Sequence, residues 1–436
     1  MESIWSKTAI LPTFPTLEGR KHCDVLIIGG GMAGILCSHM LSQAGIDHVL
    51  VEADRIGSGI SKNTTAKITS QHGLIYHKIF KTFGPNKARL YWESNEAALD
   101  RYRQLCQTID CDFQNQDSWV YSMKDAAMLQ SEGEVLERIG AQARFAKDPP
   151  LPFLTAGAIG FSNQAQFHPL KFLSAITRDL PIFEHSKVLE LSPGKARLHK
   201  GEIQAEKIIV ATHFPMLNKH GAYFMKLYQH RSYVLALKHA PLPEGMYVDE
   251  DENGLSLRSH QDMLLLGGGS HRTGKTGGGW RELKEVAQQV YPQADLVAQW
   301  ATQDCMSLDG LPYIGQYAPG TPQLFVTTGF NKWGMSSSMV SAMLLTELVQ
   351  GRSHPWACLY DPSRSMLHPQ LVKNAASAVY HLLTPTRPRC PHMGCALKYN
   401  KEEHSWDCPC HGSRFEKSGE LIDNPATKDK GGLNDA

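Results

Sequence analysis

Three features of the sequence predict a three-part fold: an α/β, Rossmann-like portion interleaved with an α+β portion and followed by a small all-β module. Residues 24–52 read as strand, glycine turn, helix and second strand. Apolar residues alternate along SYVLALKH (Ser232–His239) and DMLLLGGGSH (Asp262–His271). The 26 residues Cys390–Phe415 hold four of the ten cysteines and three of the twenty histidines.

The run DVLII (Asp24–Ile28) is apolar almost throughout, as a strand covered on both faces of a parallel sheet is. GGGMAG follows, with Gly29, Gly31 and Gly34 at the spacing in which one glycine makes a tight turn, one lets the backbone approach a pyrophosphate and one packs helix on strand. Met32 and Ala33 open a helix with apolar helical spacing that ends at Gly45. A second strand, His48–Val51, leads into Glu52 and Ala53. A pyrophosphate on the helix N-terminus meets free N–H groups and the favourable end of the dipole, and Glu52 accepts from two ribose hydroxyls, which argues against a 2′-phosphate. Such glycines also occur by chance; with both strands, the helix and the acidic residue in place they predict dinucleotide binding.

Three later segments favour FAD over NAD. Ala53–Gly73 is rich in Gly, Ser and Thr, suiting a loop that wraps a long cofactor. His185–His213 reads as a short strand, a hairpin-like turn and the apolar strand Lys207–Ala211. SLDGLPYIGQ (Ser307–Gln316) precedes a strand, a glycine loop and an amphipathic helix ending at Gly351, which places a second helix N-terminus near the cofactor's far end.

On these residues the chain resembles the D-amino-acid-oxidase-like superfamily of FAD-dependent oxidoreductases, over about residues 20–352. The resemblance implies a domain at about 20–360: a glutathione-reductase-type FAD-binding fold from about 20–75, 151–215 and 301–352, with α+β substrate parts at about 76–150 and 216–300. It implies ADP contacts from Gly29, Gly31, Met32, Ala33, Gly34, Glu52 and Ala53, and a pyrophosphate and flavin loop carrying Ser61, Thr64, Thr65 and Lys67. It puts the Val188 backbone by the adenine, and Ala211 and Thr212 on the strand returning to the cofactor. Gly310, Pro312, Gly329, Gly334 and Met335 reach the isoalloxazine and ribityl chain.

In this family the flavin supplies most of the chemistry and the protein orients a substrate C–H toward N5. The polar residues expected nearest the flavin are Arg231, Arg258, His213, His271 and Lys332, an arginine fork suiting a substrate carboxylate. His168, in the FHPLKFLSAI segment, reads as a helix-entry residue, and His72 as a hydrogen-bonding residue rather than a covalent flavin tether.

Composition changes after Gly351. Residues 361–384 predict a loop and an amphipathic linker helix, TPTRPRCP is a semi-rigid connection, and residues 385–436 form the last module. Cys390 with His392 and Cys408 with His411 make two loops, each offering one thiolate and one imidazole, fifteen residues apart. That donor set suits zinc as well as iron–sulfur. Cys395 and Cys410, at matching places beside Gly394 and Gly412, argue against zinc.

The loops closely resemble the Rieske [2Fe-2S] pattern. The resemblance implies Cys390 and Cys408 on one iron, His392 and His411 on the other, and a Cys395–Cys410 disulfide between the loops. Imidazoles in place of two thiolates raise the potential to about −150 to +300 mV, against about −400 mV for plant-type clusters. Ser413 is placed to donate to a bridging sulfide, and Phe415 stands where high-potential members carry tyrosine, so an intermediate potential is expected. The module is short for a full Rieske base, so it is expected to be truncated and to dock on the flavin portion; its tail, KDKGGLNDA, is expected to be disordered.

Lys and Arg (44) balance Asp and Glu (43), which argues against a nucleic-acid partner. The N-terminus carries no export pattern, the six scattered cysteines read as reduced, and no apolar run spans a bilayer, so a cytoplasmic location with no integral membrane segment is expected. Together these features imply an oxidoreductase that oxidises a small amine or amino-acid-like substrate at FAD and passes electrons singly through the cluster to an unidentified acceptor. The alternatives are a reductase with the cluster as entry point for an electron donor, and a redox sensor with little turnover.

Overall fold

The strand Gly19–Ile28 lies inside a sheet, parallel to His48–Val51 on one side and to Gly201–Val210 on the other. Its last four residues, Val25–Ile28, are buried, which explains the unbroken apolar run. The computed structural model describes residues 2–217, 220–385 and 388–431; part of the proline connection and residues 432–436 of the tail lie outside the described residues. In order, the sheet holds Tyr313–Gln316, Leu324–Thr328, Gly201–Val210, Gly19–Ile28, His48–Val51 and Ile182–Phe183, and the hairpin Val188–Ser192 with Lys195–Leu198 extends Gly201–Val210.

Helices Met32–Gln43 and Gly334–Val349 pack together beside this sheet. The second was expected to be amphipathic and is instead buried almost all round, because Pro85–Cys106 packs on it as well. His168 caps Pro169–Ile176, its Nδ1 accepting the Lys171 N–H at 3.2 Å, in line with a helix-entry role.

A second, mixed sheet of nine strands carries the alternating segments. Ser232–His239 and Asp262–His271 read as half-buried strands; the strands run Leu227–Lys238 and Met263–Arg272, and both faces are covered. Tyr233, Leu235 and Leu237 join Trp280 and Leu283 of the helix Trp280–Val290 in one core, while Val234 and Ala236 enter the main core on the other side. The period of two survives as a choice between two interiors.

The C-terminal module is a four-stranded antiparallel sheet of Lys398–Asn400, Ser405–Asp407, Arg414–Phe415 and Leu421–Asp423. Its own core holds the four loop cysteines with Leu397, Phe415 and Ala426. Strands this short bury little, and a charged network supplies the docking. Glu403 is buried between Arg231 of the second sheet and Arg414 of the module: Arg231 Nε donates at 2.9 Å, Arg414 Nη2 at 2.8 Å and the Tyr233 hydroxyl at 2.9 Å. Arg414 also pairs with Asp407 and Asp423. Part of the tail expected to be disordered is folded back: Lys430 N–H bonds the Gly419 carbonyl at 2.8 Å, and Asp429 accepts the Leu421 N–H at 3.0 Å. The helix Pro369–Leu383 precedes the four-stranded sheet.

Burial alone would raise the Glu403 pKa; Arg231 and Arg414 outweigh it and hold the carboxyl down to about 2, against an ordinary 4.5. A depressed acid stabilises above its unfolded value, so this contribution is full above about pH 4.5 and is lost as pH falls toward 2. Substitution E403A strips Arg231 of its close carboxylate while Arg414 keeps Asp407 and Asp423, and is expected to weaken docking by about 3 kcal/mol, the low end for a broken buried pair. The measurement is limited proteolysis across residues 384–390 in rising urea, where E403A is cut at concentrations that leave the parent chain intact.

Candidate functional site

A cavity of about 880 Å³ opens where the parallel strands end, lined by Ile28 and Gly29, Val51 and Glu52, Ala211 and Thr212, and Thr327 and Thr328. The carboxyl ends of parallel strands are where doubly wound sheets hold their ligands. Two glycines make the approach possible. Gly29 has φ 115°, and a Cβ there would lie 2.5 Å from the Ala211 carbonyl oxygen; a Cβ on Gly34 would lie 1.9 Å from the Gly29 oxygen. Gly34 therefore packs helix on strand.

Glu52 is half-buried, burial raises its pKa, and it accepts the Gly30 N–H at 2.6 Å and the Asp54 N–H at 2.9 Å. Ser61 accepts the Met32 N–H at 2.9 Å, tying the loop of residues 60–67 over the start of the helix. Trp5 pins the same loop through the Thr64 carbonyl at 2.7 Å. Lys67 is buried and donates to Ser256 Oγ; burial first, then Arg258, push its ammonium pKa down to about 7. His72 lines the cavity, stacked on Trp333 with centroids 4.8 Å apart and hydrogen-bonded to the Tyr91 hydroxyl at 2.6 Å and Ser336 Oγ at 2.8 Å.

Every residue expected at the cofactor lines this cavity except Gly34 and Pro312. Pro312 is turned to Arg364, whose Nη1 donates to its carbonyl at 2.9 Å. Three of the expected substrate contacts are corrected. Arg231 is committed to Glu403; Arg258 is buried and donates to the carbonyls of Thr65 at 2.7 Å and Ala66 at 3.0 Å; and His271 stacks on Tyr233 with centroids 5.7 Å apart. None of the three lines the cavity, since each spends its polar atoms on the scaffold. Lys332 and His213 do line it: Lys332 Nζ donates to the Glu252 carbonyl at 3.1 Å and Ser270 Oγ at 3.3 Å, and His213 Nε2 lies 3.2 Å from Gln229 Oε1.

Two features escaped the sequence. Asp304 lines the cavity from a strand with no motif around it, and burial raises its pKa to about 6 although Lys332 and Arg231 pull it down. Leu421–Thr427, from the C-terminal module, also line the cavity, with Asn424 Nδ2 donating to the Thr212 carbonyl at 2.6 Å.

The two Cys/His loops are alike. Cys390 N–H bonds the Cys395 carbonyl at 2.9 Å and Cys408 N–H the Ser413 carbonyl at 2.8 Å, with Gly394 (φ 79°) and Gly412 (φ 89°) supplying the left-handed residue in each. The His392 and His411 rings lie 5.0 Å apart at 89°, and the Sγ atoms of Cys395, Cys408 and Cys410 lie within 4.8 Å of one another. His411 Nδ1 is buried with no hydrogen-bond partner among the described residues. Two thiols, two imidazoles and a buried imidazole nitrogen with no protein partner among the described residues fit a Rieske cluster. Ser413 Oγ accepts the Ala426 N–H at 3.0 Å and keeps its own proton to donate. Cys395 and Cys410 are free thiols in this structure.

A dinucleotide cavity closed partly by a Cys/His module defines a flavin oxidoreductase with an iron–sulfur centre. The model of the FAD dependent oxidoreductase family matches residues 24–348 and that of the Rieske [2Fe-2S] domain residues 378–433. The chain belongs to the FAD-dependent oxidoreductase family and carries a C-terminal Rieske domain. It is 34% identical to the "Putative Rieske 2Fe-2S iron-sulfur protein YhfW" of Bacillus subtilis (strain 168), over 98% of this chain and 96% of that one. It is 28% identical to gamma-glutamylputrescine oxidoreductase of Escherichia coli (strain K12), over 45% of this chain and 50% of that one. Glycine oxidase from Geobacillus kaustophilus shares the fold, with a TM-score of 0.66 and 21% identity over 79% of this chain and all of that one. Among the described residues no helix is long and apolar enough to cross a membrane.

G34A places a Cβ against the Gly29 carbonyl and is expected to weaken FAD binding about tenfold or more, read as the dissociation constant of the apoprotein for FAD. C408S removes one of the two thiols that the Rieske resemblance assigns to the cluster, and iron and acid-labile sulfide are expected to fall from two each per chain to background.

Proposed function

We propose that the protein oxidises a small amine or amino-acid-like molecule at FAD and passes the electrons singly through the Rieske cluster to a separate acceptor. The observation that carries this reading is the shared wall: Leu421–Thr427 of the cluster module line the cavity that Gly29 and Thr212 line, and the Phe214 ring meets His392 edge-on at 6.2 Å. Bound there, FAD would supply a hydride acceptor for a C–H beside nitrogen, and a [2Fe-2S] cluster held by the two Cys/His loops would supply one-electron transfer.

The chain's own residues bind and orient. Glu52 and the N-terminus of Met32–Gln43 hold the adenosine and pyrophosphate. Thr328 Oγ1 donates to the His213 carbonyl and fixes that turn beside the cluster module. At the substrate end stand Asp304, Lys332, Ser232 and Ser270, the last two with hydroxyls 3.1 Å apart. With Arg231 and Arg258 committed elsewhere, a substrate carboxylate meets Lys332 rather than an arginine fork. Asp304, ionised above about pH 6, holds the substrate ammonium or takes its proton. The amine class is supported by the relatives' names, which are of a glycine oxidase and a gamma-glutamylputrescine oxidoreductase. By the Rieske pattern Cys395 and Cys410 pair as a disulfide bracing the two loops.

Anaerobic mixing with amines and amino acids tests the reading: flavin bleaching followed by the paramagnetic signal of the reduced cluster is expected, and no bleaching by any of them sinks it. In the parent protein the bleaching rate should climb as pH rises through about 6, as Asp304 ionises. D304N should lose that climb and raise the half-saturating amine concentration about tenfold, the worth of one charge-assisted contact.

A further inference from the structure

A second cavity, of about 800 Å³, lies between the helix Pro369–Leu383, the strand ends at Tyr228–His230 and Arg272, and Lys398 of the cluster module. Its charge is lopsided: Arg272, Lys275, Lys373 and Lys398 line it against the single carboxylate of Glu252. Buried nitrogens also go unpaired there, the Arg272 Nε–H donor among them. Nδ1 of His381 (4% exposed), Nδ1 of His230 (8% exposed) and Nε of Arg272 have no hydrogen-bond partner among the described residues; Glu252 comes to 3.5 Å of His230 without closing a bond. The Arg272 guanidinium is held in place by Asn374 Oδ1 at 3.0 Å and the Cys410 carbonyl at 3.2 Å, over the Tyr228 ring. Burial first, then Arg272 and Lys398, push the Lys275 pKa down, as expected of cations gathered without counter-charge.

A buried polar group left unpaired keeps the cost of its lost hydration, and the crowded cations add their repulsion. One ligand chemistry relieves both. We propose that this cavity binds the anionic end of a small molecule, a carboxylate or phosphate group, beside the cluster. Tyr228, Glu252 and Gln370 line both this cavity and the flavin cavity. The anion is therefore either a free effector or the distal end of a molecule whose amine lies in the flavin cavity; the second case rests on the amine reading above.

Calorimetry of the full-length protein, loaded with flavin and cluster, is run with inorganic phosphate and with succinate. Saturable binding that weakens with added salt is expected, as is a loss of about tenfold or more in K275Q/K373Q, two exposed lysines clear of the core. K7Q/K81Q, which removes the same charge from exposed positions elsewhere, should bind like the parent. No saturable binding of either anion, or equal binding by K275Q/K373Q, overturns the site. Anaerobic bleaching by amines with and without a distal carboxylate separates the sources: a lower half-saturating concentration for the carboxylated amine, abolished in K275Q/K373Q, assigns the anion to the substrate, and equal values with calorimetric binding intact assign it to an effector. The calorimetry needs no turnover, so it stands if the amine reading fails.

Discussion

Glu403 is a carboxylate removed from water and held between two guanidiniums that belong to different parts of the chain. A charge so placed is tolerated only with its partners, because separating them strands several kcal/mol of buried charge. Arg231 sits in the longest-paired strand of the second sheet and Arg414 in a strand of two residues, so the pair makes a rigid body hold a module too small to hold itself. The finer contacts follow from that placement: Arg272 on the Cys410 carbonyl, Gln303 on the Gly412 carbonyl at 2.9 Å, and Asn424 on Thr212. Gly412 marks how close the approach is, since a Cβ there would lie 2.3 Å from Gln229.

The same close approach explains why the two redox sites share a boundary rather than a linker. The flavin portion leaves one side of its cavity for the module, and the module turns its His392 ring toward Phe214 and its His411 ring toward Phe224, edge-on in both cases. The proline connection sets chain length; the docked surfaces set distance.

What the sequence disclosed was local. Strand, turn, helix and acidic residue fall within residues 24–52, and each cluster loop spans five or six residues, so the chemistry of each is written in one stretch. What stayed hidden depended on partners far along the chain. Arg231 reads as a substrate fork until Glu403, 172 residues later, takes it. Arg258 is spent on carbonyls about 190 residues earlier. Asp304 looks like any polar residue of a strand, and the amphipathic reading of Gly334–Val349 fails because a second helix covers the face assigned to water. Pattern reports one buried face well; it says nothing of what lies against the other.

The position of Leu421–Thr427 in the cavity wall also sets an order of assembly. During synthesis the amino-terminal parts fold first, and every other wall of the flavin cavity has left the ribosome before this segment does. The cavity is therefore open on one side while the flavin portion folds, and docking of the module closes it. The segment that completes the cavity wall is thus the last part of that wall to be made, and every residue it closes against precedes it in the chain.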